Sequence, residues 1–236
     1  MSLGATTSTA GEVTDPGDDV VLSARTLYRF FRAGDEETLA LRGVSLSLRA
    51  GELVAVVGPS GSGKSTLLAC LAGLDEPDGG TVVVGGRRIS HQPETVRTRL
   101  RASMIGLVFQ SGNLLEHLTV RQNVRLAQRL AARGRRGAVD ALLDVVGLAA
   151  RGAAYPSRLS GGEATRAGLA VALAGDPAVV LADEPTGELD SATERQILDL
   201  LAERARSGVA VLVAGHSPAV AAAADRVIRL RDGQVV

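Results

Sequence analysis

The chain has 236 residues, enough for one large domain with a sizeable core. Its 45% hydrophobic and 22% charged residues are those of an ordinary soluble globular protein, and no run nears the roughly 18 apolar residues a membrane span needs. Equal counts of 26 basic and 26 acidic residues argue against a dedicated nucleic-acid binder, and the single cysteine, Cys70, excludes an internal disulfide and reads as a small buried hydrophobe.

Residues 1–20 hold Glu12, Asp15, Asp18 and Asp19 with no base, among many Gly, Ser and Thr, and are expected to form a disordered tail ahead of a domain spanning 21–236. No basic-then-apolar leader precedes it, so the expectation is a cytoplasmic chain. Apolar runs at 44–48 (VSLSL) and 53–58 (LVAVVG) read as strands. The second leads into GPSGSGKST, Gly58–Thr66, and a helix expected over 64–73. A strand, a glycine-rich turn and a helix start in that order make a P-loop. Its glycines let successive N–H groups face the oxygens of a triphosphate, and the helix N-terminus adds a favourable dipole. The string offers Gly58, Ser60, Gly61, Ser62, Gly63, Lys64, Ser65 and Thr66 to the nucleotide, with Lys64 for the β- and γ-phosphates and the Ser65 hydroxyl for Mg²⁺. Every other basic residue is arginine, so the one position kept as lysine needs a compact ammonium on a flexible stem.

Further strands are expected at 81–86 (TVVVGG) and 105–109 (IGLVF), and then no convincing strand until 178. The tract 111–175 carries helical patterns at 119–133, 138–146 and 161–174 and reads as a helical lobe inserted into the core. Within it, LSGG places Ser160, Gly161 and Gly162 at a helix start, where backbone donors and a hydroxyl make a competent anion site. The strand AVVLADEP (178–185) ends in two carboxylates: Asp183 is placed to hold Mg²⁺ and Glu184 to polarise the attacking water. A helix at 191–206 and the strand VAVLVAG (209–215), followed by His216, complete the pattern. Strands alternating with helices imply an α/β fold with a mostly parallel sheet flanked by helices.

The ordered set of GPSGSGKST, YPSRLSGGEATR and LADEP resembles the ATP-binding-cassette (ABC) ATPases over nearly the whole chain from about residue 21. That resemblance implies ATP and Mg²⁺ as cofactors and an antiparallel β lobe beside the core. It implies that Gln110 is a Q-loop residue linking metal and water to a permease, that His216 contacts the γ-phosphate, and that Asp190 in GELD faces a partner subunit. Adenine is expected on an aromatic ahead of the P-loop, Phe31 first and Tyr28 second, with Phe30 a core residue. LSGG would then close the ATP site of a second copy of the chain in a head-to-tail dimer, since one chain cannot bring it to its own P-loop.

The strings AGDE (33–36), NLLEHLTVRQNV (113–124) and LADEPTGELD (181–190) resemble the branch with the lipoprotein-release, macrolide-export and antimicrobial-peptide-resistance ATPases. Its members drive permeases bearing large extracytoplasmic domains from the cytoplasmic face of the membrane. The sequence departs from the family at Glu163, Ala164, Thr165, Val171 and Ser217, which bears on rate and dimer affinity. A slow regulatory ATP-binding module and a soluble ABC ATPase not tied to transport are the alternatives. Arg121, Arg125, Arg129 and Arg133 recur every four residues, with Arg135 and Arg136 beyond, and read as a solvated helix face or as a contact to permease or anionic lipid.

Overall fold

The computed structural model describes residues 19–33, 36–111, 113–131 and 139–236. Residues 1–18 of the expected 1–20 tail, and Arg133, Arg135 and Arg136 of the arginine run, lie outside the described residues. In chain order the first half comprises β1 (Val20–Ala33), β2 (Glu36–Arg49), β3 (Leu53–Val57), α1 (Lys64–Leu71), β4 (Gly79–Val84), β5 (Arg87–Arg88), α2 (Glu94–Met104) and β6 (Ile105–Val108). The second half has α3 (Val120–Leu130), α4 (Val139–Val145), α5 (Gly161–Leu173), β7 (Val179–Asp183), α6 (Ser191–Arg206), β8 (Ala210–Gly215), α7 (Pro218–Ala223), β9 (Arg226–Arg231) and β10 (Gln234–Val235). β1 begins at Val20, inside the segment expected as tail, and the Asp19 carbonyl accepts the Ala50 N–H at 3.0 Å.

Two sheets form. One is antiparallel in the order β2-β1-β4-β5, and the other runs β10-β9-β3-β8-β7-β6 with only the β9–β10 pair antiparallel. The central strands are apolar on both faces because both faces are covered. Val54 and Val56 of β3, Val179 and Leu181 of β7, and Leu212 of β8 point into a core shared with Leu67, Leu71 and the antiparallel sheet. Their neighbours Leu53, Ala55, Val180, Ala182, Val211 and Val213 point the other way, into a core completed by α3, α4, α5 and α6. The period-2 alternation of strands thus divides one apolar sequence between two cores. The helical tract shares the second of these cores: Val120, Val124 and Leu143 are fully buried there with Val180 and Val213. Cys70 is buried, and burial pushes its thiol up to about 12.

β1 and α2 were not expected from the sequence. β1 brings Leu22 and Ala24 inward, then breaks register between Ala24 and Leu27, where Thr26 adopts φ 51. This bulge places Leu27 inward at an odd spacing and erases the alternation that marks a strand. α2 buries one side chain, Leu100, and is tied down by charge instead: Arg97 pairs with Glu76 at 2.9 Å, and Arg101 donates to the Gly73 carbonyl at 2.8 Å.

β6 lies so close to the end of α5 that a Cβ on Gly106 would stand 2.5 Å from the Ala172 carbonyl oxygen and 3.2 Å from Pro177. Both obstacles are backbone or ring, so relief requires moving the helix. Gly106→Ala is therefore expected to lower unfolding stability by about 1–3 kcal/mol, read as a shifted midpoint with unchanged slope in urea unfolding.

Candidate functional site

The turn between β3 and α1 is built by exclusion of side chains. A Cβ on Gly58 would lie 2.1 Å from the Leu230 carbonyl oxygen of β9, and one on Gly63 would lie 2.5 Å from the Ala40 carbonyl oxygen of β2. Gly63 also takes φ 101 as the residue preceding α1 and supplies no side-chain cap, while Gly61 has φ 77. The first N–H groups of α1 are thus left to an anion. The β9–β10 turn braces this loop: the Gly233 N–H donates to the Ser62 carbonyl at 3.1 Å, and the Gly233 carbonyl accepts the Arg42 N–H at 2.8 Å. Ser62 is buried beneath the loop, and its hydroxyl has no partner among the described residues.

Lys64 is 95% enclosed, at 5% exposure, and its ammonium donates to the carbonyls of Gly58 at 3.0 Å and Pro59 at 3.1 Å. Glu184 Oε1 stands 3.8 Å from the same ammonium, and Glu184 Oε2 stands 3.4 Å from His216 Nδ1. Glu184 adopts φ 45, a left-handed conformation that a non-glycine residue enters at a cost of order 1–3 kcal/mol. Its N–H donates to the Ala214 carbonyl at 2.9 Å, so β8 holds the strained turn that aims the carboxylate. Asp183, the last residue of β7, has one buried carboxylate oxygen without a hydrogen-bond partner among the described residues. Burial pushes its carboxyl above the ordinary range. The Glu184 charge adds to this, while the Ser65 hydroxyl and Lys64 ammonium oppose it. A buried carboxylate oxygen without a partner, beside a serine hydroxyl, is a fitting donor pair for a hard divalent cation.

Of these groups Lys64, Ser65 and Glu184 line a cavity of about 630 Å³, and Asp183 and His216 do not. Of the residues expected to bind nucleotide, Phe31, Ser60, Gly61, Gly63, Lys64, Ser65 and Thr66 line it, together with Glu184. Gly58 and Ser62 lie under the loop. Phe31 is 42% exposed, whereas Tyr28 packs its ring against Gly43 and Gly79 and does not line the cavity. Sequence reasoning missed Thr38, Leu39, Ala40, Arg42, Asp232 and Gly233, which complete the wall. The Asp-Gly dipeptide at 232–233, a strong hairpin signal, was the available clue to the last two.

Ser160, Gly161 and Gly162 do not line this cavity. Gly161 borders a second groove of about 250 Å³ with Gln110, Thr165, Glu188 and Leu189, and Glu184 touches both spaces. The Gln110 amide nitrogen donates to Glu188 Oε1 at 3.2 Å. Ser160 caps α5, its hydroxyl oxygen accepting the Glu163 N–H at 3.3 Å while Glu163 Oε2 accepts the Ser160 N–H at 2.9 Å. That reciprocal cap gives Glu163 a local role, and Arg151 pairs with its other oxygen at 2.9 Å. The Ser160 backbone N–H first, and then Arg151, hold the Glu163 carboxyl below its ordinary value despite some desolvation. Gly162 is required by packing, since a Cβ there would meet Thr193 at 2.5 Å.

Asp190 caps α6, accepting the N–H groups of Ala192 at 3.0 Å and Thr193 at 3.1 Å and the Thr193 hydroxyl at 2.7 Å. Ser217 caps α7 and Val171 packs in the second core, so both departures have local explanations. In the arginine run Arg121 pairs with Asp140, while Arg125 and Arg129 are exposed.

A family model described as ABC transporter matches residues 41–187. An uncharacterized ABC transporter ATP-binding protein of Mycobacterium tuberculosis is 43% identical over 210 residues, covering 87% of this chain and 85% of that protein. The macrolide export ATP-binding/permease protein MacB of Shigella flexneri is 42% identical over 219 residues, and the match spans 92% of this chain but 34% of that protein. Among solved structures, an ATP-binding cassette captured as a dimer in a post-hydrolysis state with ADP and Pi has a TM-score of 0.84 at 35% identity, covering 91% of this chain and 96% of that one.

Asp183 also makes a signed pH prediction. Its folded value lies above its unfolded one, so the fold holds the extra proton between them and stability falls as pH rises through that interval. Asp183→Asn is expected to remove this slope and raise the nucleotide-free thermal midpoint at neutral pH by about 1–2 °C. Thermal scans from pH 4 to 8 check it; an identical slope in the variant would assign the pH dependence to another group.

Proposed function

The chain belongs to the ABC transporter family, and from that premise we propose how its residues bind ATP, hydrolyse it and couple the cycle to a membrane protein. It is the ATP-binding and ATP-hydrolysing subunit of an ABC transporter, of the branch that includes the macrolide exporters. The observation that carries the mechanism is the meeting of Lys64, at the start of α1, with Glu184 and His216, just past the ends of β7 and β8, beside the P-loop cavity.

A triphosphate in the cavity faces the N–H groups of Gly61, Gly63 and the first turn of α1, and takes the Lys64 ammonium in exchange for its loop carbonyls. Thr66 and Ser60 border the same phosphates, and Phe31 takes the adenine ring. Mg²⁺ would be held by Asp183, Ser65 and Gln110 and would neutralise charge on the phosphate oxygens. Glu184 accepts the proton of the attacking water, held by the strained turn after β7 in a position between Lys64 and His216. His216, exposed at the end of β8, contacts the γ-phosphate and orients the Glu184 carboxylate.

The chain works as a head-to-tail dimer. Gly161 opens onto a second groove, and none of Ser160, Gly161 and Gly162 lines the P-loop cavity, which supports their use on a partner's ATP. The Ser160 hydroxyl oxygen accepts from its own helix and keeps its hydrogen to donate. Asp190 at the neighbouring helix start faces the same partner. Two ATP molecules then bridge the copies across a two-fold axis, and losing the γ-phosphate contacts on hydrolysis opens them. The permease carries a large extracytoplasmic domain, and the dimer sits on it at the cytoplasmic face of the membrane. Among the described residues no helix is long and apolar enough to cross a membrane.

Glu184→Gln keeps the shape of the side chain and removes the base. ATP turnover is expected to fall by about 10²–10⁴, while MgATP accumulates a dimer visible by sedimentation. Unchanged phosphate release would take Glu184 out of this role.

A further inference from the structure

We propose that Arg29 is a positioning residue for nucleobase recognition: locked by Asp75 and Asp78, its guanidinium fixes the Phe31 ring on which the adenine stacks. The proposal rests on the reading of Phe31 given above and adds a residue that does not itself touch the nucleotide.

Three of the five guanidinium N–H groups are committed. The Arg29 Nε and Nη2 donate to the two oxygens of Asp75, each at 2.8 Å, in the bidentate fork geometry, and Nη1 donates to Asp78 at 3.1 Å. A planar group held at three points cannot turn, and the same plane lies with its central carbon 4.7 Å from the centroid of the Phe31 ring. The clamp reaches the backbone as well. Asp78 accepts the Phe30 N–H at 2.8 Å, and the Asp78 N–H donates to the Tyr28 carbonyl at 2.9 Å. The end of β1 is therefore tied on both sides of Arg29 to the segment joining α1 to β4. That segment follows the helix whose first turn belongs to the P-loop, so the phosphate end and the base end of the cavity are anchored to one helix.

The clamp answers a specific need. Phe31 is 42% exposed and borders the cavity, and an exposed ring loses rotamer freedom when a ligand stacks on it. A cation fixed over one face restricts the ring beforehand and leaves the second face for a base. Two carboxylates on one guanidinium exceed what a surface pair needs for stability, since exposed pairs contribute little. The arrangement orients Arg29, and Arg29 in turn orients Phe31.

The test separates base recognition from phosphate recognition by titrating the full-length chain calorimetrically with ATP and with inorganic tripolyphosphate, both with Mg²⁺. Arg29→Ala is expected to weaken ATP about three- to fivefold and leave tripolyphosphate unchanged. In a Phe31→Ala background, which itself costs about tenfold for ATP, the Arg29 substitution should add nothing. If Arg29→Ala does not fold, Arg29→Gln carries the same test, keeping a hydrogen-bonding side chain for the carboxylates without the cation. Unchanged ATP affinity, equal weakening of both ligands, or a full additional loss in the Phe31→Ala background each overturns the proposal. Phe31→Ala with an unaltered ATP-to-tripolyphosphate ratio instead overturns the Phe31 reading itself, an outcome distinct from Phe31 mattering while Arg29 does not.

Discussion

Three backbone segments converge on the turn between β3 and α1 and leave no room for a side chain. Gly58 lies against the Leu230 carbonyl of β9, Gly63 lies against the Ala40 carbonyl of β2, and Gly233 ties the β9–β10 hairpin to Ser62 and Arg42. Close approach at this point joins the parallel sheet to the antiparallel one. At this contact Gly63 takes φ 101, and the first N–H groups of α1 are left free to bind an anion. The binding loop and the junction between the sheets are one object.

Charge is arranged around that object with little redundancy. The single lysine of the chain is buried there, between loop carbonyls and the Glu184 carboxylate. Asp183 and Glu184 are adjacent and repel, one desolvated at the end of β7 and the other turned out by a left-handed backbone. Stability is sacrificed at both residues, as is usual where groups are held ready for a ligand. At the other end of the same helix, Asp75 and Asp78 hold Arg29 against Phe31. On the proposed reading, helix α1 has the phosphates before it and the base after it.

Legibility followed the range of the interactions. The P-loop and the strand ending in Asp183 and Glu184 were readable because their chemistry needs consecutive residues in a strand-to-helix context. The helices α5 and α6 were readable because period and caps are local: Ser160 and Asp190 start them as capping chemistry predicts. β1 was not, because the bulge at Thr26 takes its inward residues off period. α2 was not, because an ion pair to Glu76 and a hydrogen bond to the Gly73 carbonyl hold it where an apolar stripe usually would. In the helical tract, Val120, Val124 and Leu143 share a core with the central sheet, a contact no local pattern could announce.

The sequence by itself determined the family and put forward the side chains proposed for phosphate, metal and water chemistry, because each is written in one short continuous string. Tertiary structure alone decided which strings meet. It set Glu184 between Lys64 and His216, kept Ser160 to Gly162 out of the P-loop cavity, chose Phe31 over Tyr28 for its wall, and put Arg29 over that ring. Those outcomes depend on distances between residues far apart in the chain, and such distances are set by close packing of backbones that no local pattern records.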